Sequence, residues 1–221
     1  MLKVKVSSLR VQCRLFDISS KAIHTNNYRS QPSPTMDLVQ KPATTVHTFP
    51  LFPSHTLTVL LYNNVTDAST IVPSLTKQSL SAAVLQTSYI ASMFTLLSSA
   101  NRALHNATHN QLKTHAIESE LLYNLSPSHS ISYAFKTFGV QDDSSSVVAC
   151  MFDATPEALR QLNAIIKGQQ VQDVETTLNS MSEEKSKRLI KLYKIKASDL
   201  DRRTLPDAID NMLSVRNFKS R

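Results

Sequence analysis

The sequence predicts a single α/β (α+β) domain, a small antiparallel or mixed sheet packed with several helices. Three observations carry this: a β-branched run behind two prolines at 56–62, apolar residues at three- and four-residue intervals across 88–106, and an irregular alternation of strand-like and helix-like segments beyond. A chain of 221 residues is long enough to bury one sizeable core.

The first predicted strand is Thr56-Leu-Thr-Val-Leu-Leu-Tyr62, too short for a typical helix and shielded from an incoming one by Pro50 and Pro53. Asn63 to Asp67 closes it as a turn, and Thr66 or Asp67 is placed to cap a short helix over about 68–77. Between Ser88 and Asn106, Ile90, Met93, Phe94, Leu97, Ala100 and Leu104 share one face of a long helix. Leu121-Leu-Tyr-Asn-Leu125, stopped by Ser126-Pro127, reads as a second strand. Ser128 or Ser130 then caps a helix with Ile131, Ala134, Phe135 and Phe138 on one face, ended by Gly139 as a left-handed cap. Ser146 to Phe152 is the third strand, and Thr155-Pro156 opens a helix with Leu159, Leu162, Ile165 and Ile166 inward and Gly168 at its end. Ser182-Glu183-Glu184-Lys185 starts a further helix through Leu189, Ile190, Leu192 and Tyr193, and a last one runs near Leu205 to Leu213.

The net charge of +7 is uneven: residues 1–35 carry +5, residues 36–182 carry −3 and residues 183–221 carry +5, so a polyanion would be met by local patches. Residues 1–45 read as a basic leader without ordered structure, ahead of the domain at 46–221. Residues 1–35 have the basic, acid-poor composition of a mitochondrial presequence; an upstream extension, with Met36 as the true start, is the other reading. No stretch is apolar for long enough to span a bilayer, so no membrane partner is expected. Cys13 and Cys150 are too few for a disulfide framework or a cysteine zinc site, and Cys150, in an apolar run, reads as a buried inert thiol.

Gly139 and Gly168 are the only glycines, which excludes a phosphate-cradling glycine loop and a dinucleotide fingerprint. Glu118 and Glu120 read as solvated carboxylates rather than an acid/base pair. His105 and His109, four apart, lack obvious further ligands for a metal, so neither metal nor cofactor is expected. Together with Arg102, Lys113 and His115 they form a cationic, polar cluster that suits phosphate, ribose or base contacts.

Leu97-Ser-Ser-Ala-Asn-Arg-Ala-Leu-His105, Leu112-Lys-Thr-His115, Glu120-Leu-Leu-Tyr-Asn-Leu-Ser-Pro127 and Ile131-Ser-Tyr-Ala-Phe-Lys-Thr-Phe-Gly-Val140 resemble the PRPK-binding protein family, the small kinase-binding subunit of the KEOPS (EKC) complex. Leu51-Phe-Pro53, Asn64-Val65, Gly168-Gln-Gln-Val171, Lys191-Leu-Tyr-Lys-Ile195 and Leu205-Pro-Asp-Ala-Ile209 agree, so the resemblance covers about 49–213 and none of residues 1–45. It implies a one-domain, non-catalytic subunit of the nucleus and cytoplasm. Such a subunit binds a PRPK-like kinase, meets other KEOPS subunits indirectly, and helps recruit tRNA by its 3′ CCA end for threonylcarbamoyladenosine formation beside the anticodon.

The family's Lys-Thr-Arg pattern falls on Lys113-Thr114-His115, and the imidazole cannot make a guanidinium's bidentate phosphate contact. Asn101, Arg102, His105, Lys113, Thr114 and His115 are the tRNA-binding residues this reading selects. Leu205, Ala208, Ile209, Met212 and Leu213 are the apolar face it selects for the kinase, with ordinary packing against the chain's own core as the competing role. A free-standing RNA-binding module, mitochondrial if the leader is a presequence, is the second reading, and an enzyme the third.

Overall fold

Leu57 to Tyr62 and Val147 to Met151 are buried at every position, which requires both faces of their sheet to be covered. The computed structural model describes residues 44–216, and there the sheet is antiparallel throughout. The order is β1 (Thr45–Phe49), β2 (Phe52–Asn63), β4 (Ser146–Phe152), β3 (Ala83–Gln86), with β5 (Gln169–Gln170) pairing the end of β2. The register from Leu57 opposite Phe152 to Asn63 opposite Ser146 sends alternate side chains to opposite sides. Leu60, Tyr62, Val147, Ala149 and Met151 meet α1 (Ala68–Lys77) and α5 (Pro156–Ile165) through Ile71, Leu75, Leu162 and Ile165. Val59, Leu61, Leu85, Val148 and Cys150 face the other core. It is filled from α2 (Met93–Thr108), α3 (Ile117–Leu125), α4 (Ile131–Phe138), α6 (Val174–Asn179), α7 (Glu183–Tyr193) and α9 (Leu205–Arg216). A four-residue helix, α8 (Ala197–Leu200), joins the last two.

Several helix starts follow their predicted capping chemistry. Ser130, Thr155 and Ser182 each accept the backbone N–H three residues on, at α4, α5 and α7. Asp67 stands at the N-cap of α1 without making that bond; its carboxylate takes Lys167 Nζ at 2.9 Å instead. The long helix begins at Met93, capped by Ser92, so Ile90 precedes it, and Phe94 is 66% exposed rather than inward.

Residues 121–125 are helical, not a strand. The five-residue run hides a longer period in which Ile117, Leu121, Leu122 and Leu125 return to one side of α3, and leucine favours helix. Gly139 has φ −64, so it is no left-handed cap; a Cβ there would lie 2.5 Å from the carbonyl oxygen of Phe135, and space is what excludes other residues. α5 stops at Ile165, before Gly168, which packs under Asn63 and Val65. β1 and β3 carry no signal strong enough to be read from sequence; β1 starts at Thr45, the last residue assigned to the leader, and the rest of that leader with Cys13 lies largely outside the described residues. Cys150 is fully buried and its thiol is pushed up by desolvation.

Candidate functional site

The cationic cluster is organised by a carboxylate that sequence reasoning placed in solvent. Glu120, in the first turns of α3, has no solvent exposure. Its Oε1 accepts Asn106 Nδ2 at 2.8 Å; its Oε2 accepts the amides of Lys113 at 2.9 Å and Thr114 at 3.0 Å. The Thr114 hydroxyl lies 3.0 Å from both that oxygen and the carbonyl of Ala116, so its single proton is shared between them. A buried carboxylate is tolerated only when donors replace its water, and here donors from the end of α2 and the 111–116 loop do so. The loop is thereby pinned from inside, while the side chains of Lys113 and His115 remain exposed.

α2 ends at Thr108, and Asn110 takes φ 54 as the chain turns towards that loop. The rings of His105 and His109 stack with centroids 4.2 Å apart, and His109 Nδ1 lies 2.8 Å from the carbonyl of His105. Among the described residues no group of three His, Cys, Asp or Glu is arranged to hold a metal. His105, His109, Lys113 and His115 are all exposed, the two stacked imidazoles at the end of α2 and the other two on the loop that follows it. Asn101 is half-buried on α2, away from that free end.

Arg102 is turned elsewhere. It is half-buried, its Nη1 donates to the carbonyl of Leu213 at 3.3 Å, and burial followed by the neighbouring Arg216 lowers its pKa. A cation on the last carbonyls of α9 is a favourable use of charge at a helix C-terminus. Arg216 does the same for α3: Nη1 donates to the carbonyls of Tyr123 at 3.1 Å and of Ser126, and the guanidinium lies 4.8 Å from the Tyr123 ring centroid. Tyr193 adds a 2.8 Å bond to the carbonyl of Leu125, and Asn124 donates to the carbonyl of Ser99. The Asn-Leu-Ser-Pro segment is thus a junction of four helices.

The apolar face of α9 is mostly internal. Ala208, Ile209 and Leu213 are buried in the chain's own core, and Leu205 and Met212 pack against its rim, because a helix with five apolar residues closes the layer formed by α2 and α7. What α9 keeps outside is Val215, 42% exposed, beside Met212. With Ile195 these line a groove of about 410 Å³ that also takes in Lys194 and Arg203. A second, more apolar cleft of about 450 Å³ lies between α1, α3 and α4, lined by Val72, Leu75, Leu80, Leu122, Phe135 and Val140. None of the described helices is long and apolar enough to cross a membrane.

A carboxylate that shapes a loop, exposed Lys113 and His115 on that loop, and apolar grooves on the helical side define a binding protein. The chain belongs to the family described as kinase binding protein CGI-121, whose model matches residues 62–217. It is 31% identical to the EKC/KEOPS complex subunit TPRKB of Danio rerio, over 76% of this chain and 94% of the relative. It is 33% identical to the EKC/KEOPS complex subunit CGI121 of Candida glabrata, over 55% of this chain and 70% of the relative. For the subunit cgi121 of Schizosaccharomyces pombe the identity is 29%, over 75% and 94%.

Proposed function

We propose that this chain is a non-catalytic subunit of an EKC/KEOPS-type complex. It binds a PRPK-like kinase subunit and helps bring in tRNA, by its 3′ CCA end, for threonylcarbamoyladenosine formation beside the anticodon. Family membership supports the complex and the kinase. The observation that supports the RNA half is the Glu120 cage, which fixes the backbone of Lys113 and Thr114 to the end of α2 while Lys113 and His115 stay exposed. Phosphates attract the lysine, and imidazoles stack or hydrogen-bond with exposed bases.

On this reading Thr114 shapes the site, Lys113, His105 and His115 touch the nucleic acid, and Asn101 and Arg102 stand further back along α2. The kinase meets the outer edge of α9, at Met212 and Val215 beside Ile195, since the inner edge is occupied. The protein works in the nucleus and cytoplasm; a mature N-terminus cut near residue 35, seen by mass spectrometry, would move it to the mitochondrion.

The test has two arms. The tagged full chain should capture the kinase subunit, and Val215→Glu, at the exposed position of that edge, should weaken capture at least tenfold without lowering thermal stability. It should also bind intact tRNA at least tenfold more tightly than tRNA lacking its CCA end. Failure of the unaltered chain in the first arm removes the complex, and equal affinities in the second remove the CCA mode.

A further inference from the structure

A second basic surface lies at the other end of α3. α4 and α7 flank a cavity of about 620 Å³ lined by Tyr89, Tyr133, Lys136, Thr137, Arg188, Lys191 and Leu192. Three cations and two phenol rings meet there with no carboxylate in the lining. A neighbouring hollow of about 530 Å³ shares Tyr133 and Leu192 with it and adds His129 and Lys194. Glu184, the acid one turn before Arg188, lines with that arginine a further hollow and makes no ion pair with it.

Ion pairing elsewhere makes the contrast plain. On α7 itself Lys187 pairs with Glu183 at 2.6 Å, and Lys167 pairs with Asp67. No carboxylate of the described residues comes within ion-pair distance, 4.0 Å, of Lys136, Arg188, Lys191 or Lys194. All four are exposed, and Tyr133 offers 42% of its surface beside them. The far ring is fixed: Tyr89 stands edge-on to buried Phe138, centroids 6.1 Å apart.

We propose that this groove binds single-stranded RNA, with Lys136, Arg188 and Lys191 neutralising successive phosphates and Tyr133 stacking on a base. Unpaired cations beside an exposed ring are the chemistry that sequence-tolerant single-strand binders share, a charged track plus a π-platform. A base stacks on the ring while its phosphates meet the cations, so a single strand uses both features at once, and the acidic peptide is the alternative that the experiment below separates. The surface is distinct from the Lys113 corner, since α3, nine residues long, separates them by about 14 Å. The groove rests on the RNA-binding half of the proposed function for its biological sense, and its own evidence is independent of the 3′ end.

The experiment measures binding of a labelled 12-nucleotide single-stranded RNA to the full chain, across a salt series, by fluorescence anisotropy. Lys136→Ala with Lys191→Ala should weaken binding at least tenfold and reduce the slope of log K against log salt by about 1.4, two phosphate contacts on a single strand. Tyr133→Ala should weaken binding about tenfold and leave the slope unchanged. An RNA duplex of equal length should bind the unaltered chain more weakly than the single strand. Unchanged affinity in the double variant overturns the proposal. So does a polyglutamate peptide that binds as tightly as the RNA and is insensitive to Tyr133→Ala, which would make the groove a protein-docking face. Lys113→Ala with His115→Ala tests the other site: loss of CCA dependence there, with the 12-mer still bound, leaves both readings standing, and CCA independence of the unaltered chain removes only the first.

Discussion

The Oε2 atom of Glu120 lies 3.0 Å from both the amide and the hydroxyl of Thr114, inside a shell that admits no solvent. Removing the carboxylate leaves up to four donors facing a void, and each orphaned group costs about 1–3 kcal/mol. Glu120→Ala should destabilise the protein by at least about 3 kcal/mol in urea denaturation. Glu120→Gln, which keeps one acceptor oxygen and sets a carboxamide NH2 against donors at the other position, should fall between it and the unaltered chain. A Glu120→Gln protein as stable as the parent would show that the cage carries no charge-specific energy.

Arg216 offers a second measure of how carbonyls are satisfied. It is 7% exposed and serves the last carbonyls of α3 while lying over Tyr123. Arg216→Ala should cost about 2 kcal/mol, the scale of hydrogen bonds to a charged donor, and Tyr123→Leu should recover only the smaller cation–π share. A double-mutant cycle separates the two.

Lys185 makes stability depend on pH. Burial pushes its ammonium down to about 8, although Nζ donates to the carbonyls of Leu178 at 2.7 Å and Ser180 at 3.1 Å. The unfolded chain therefore holds a proton that the folded one has lost between about pH 8 and the ordinary lysine value of 10.5. Stability rises with pH through that window and is lowest below it. The stability difference between the unaltered chain and Lys185→Met should grow in favour of the lysine from pH 7.5 to 9.5. Above pH 10 the trend reverses in both proteins, because burial raises Tyr62 and Tyr193, and the folded state then retains protons that the unfolded one gives up.

Gly139 is a steric requirement. A Cβ at 2.5 Å from the Phe135 oxygen forces the end of α4 to shift, so Gly139→Ala should cost about 1–3 kcal/mol. Had the residue been a left-handed cap, Asn would rescue it; with φ −64, Gly139→Asn should be no better than alanine. Thermal unfolding of the two variants decides.

His115 stands, exposed, where the resemblance expects arginine. His115→Arg adds a permanent cation with a bidentate fork and should raise tRNA affinity about tenfold in filter binding at moderate salt. No gain would mean that this position faces away from bound phosphate.

The strands β2 and β4 and most helix starts were legible because their signals are local: β-branched runs, and hydroxyl side chains one residue before an apolar period. α3 was misread because the run from Leu121 to Leu125 fits a strand when taken alone, and only Ile117 restores the helical period. That His105, Lys113 and His115 are exposed was legible because they fall at a helix end and in the polar loop after it. What organises that loop was not: nothing local marks Glu120 as buried, since its donors come from residues 6 to 14 positions away. The bond from Arg102 to the carbonyl of Leu213 was hidden for the same reason, its acceptor being 111 residues distant. The α4–α7 groove joins Lys136 to Arg188 and Lys191 across the fold, and no window of sequence contains it.

Because α3 is held by Glu120 at its start and by Tyr193 and Arg216 at its finish, both of its ends are tied to elements distant in sequence. Lifting α9 away would strip the donor from the carbonyls of Tyr123 and Ser126, so the last helix cannot leave without baring the end of α3.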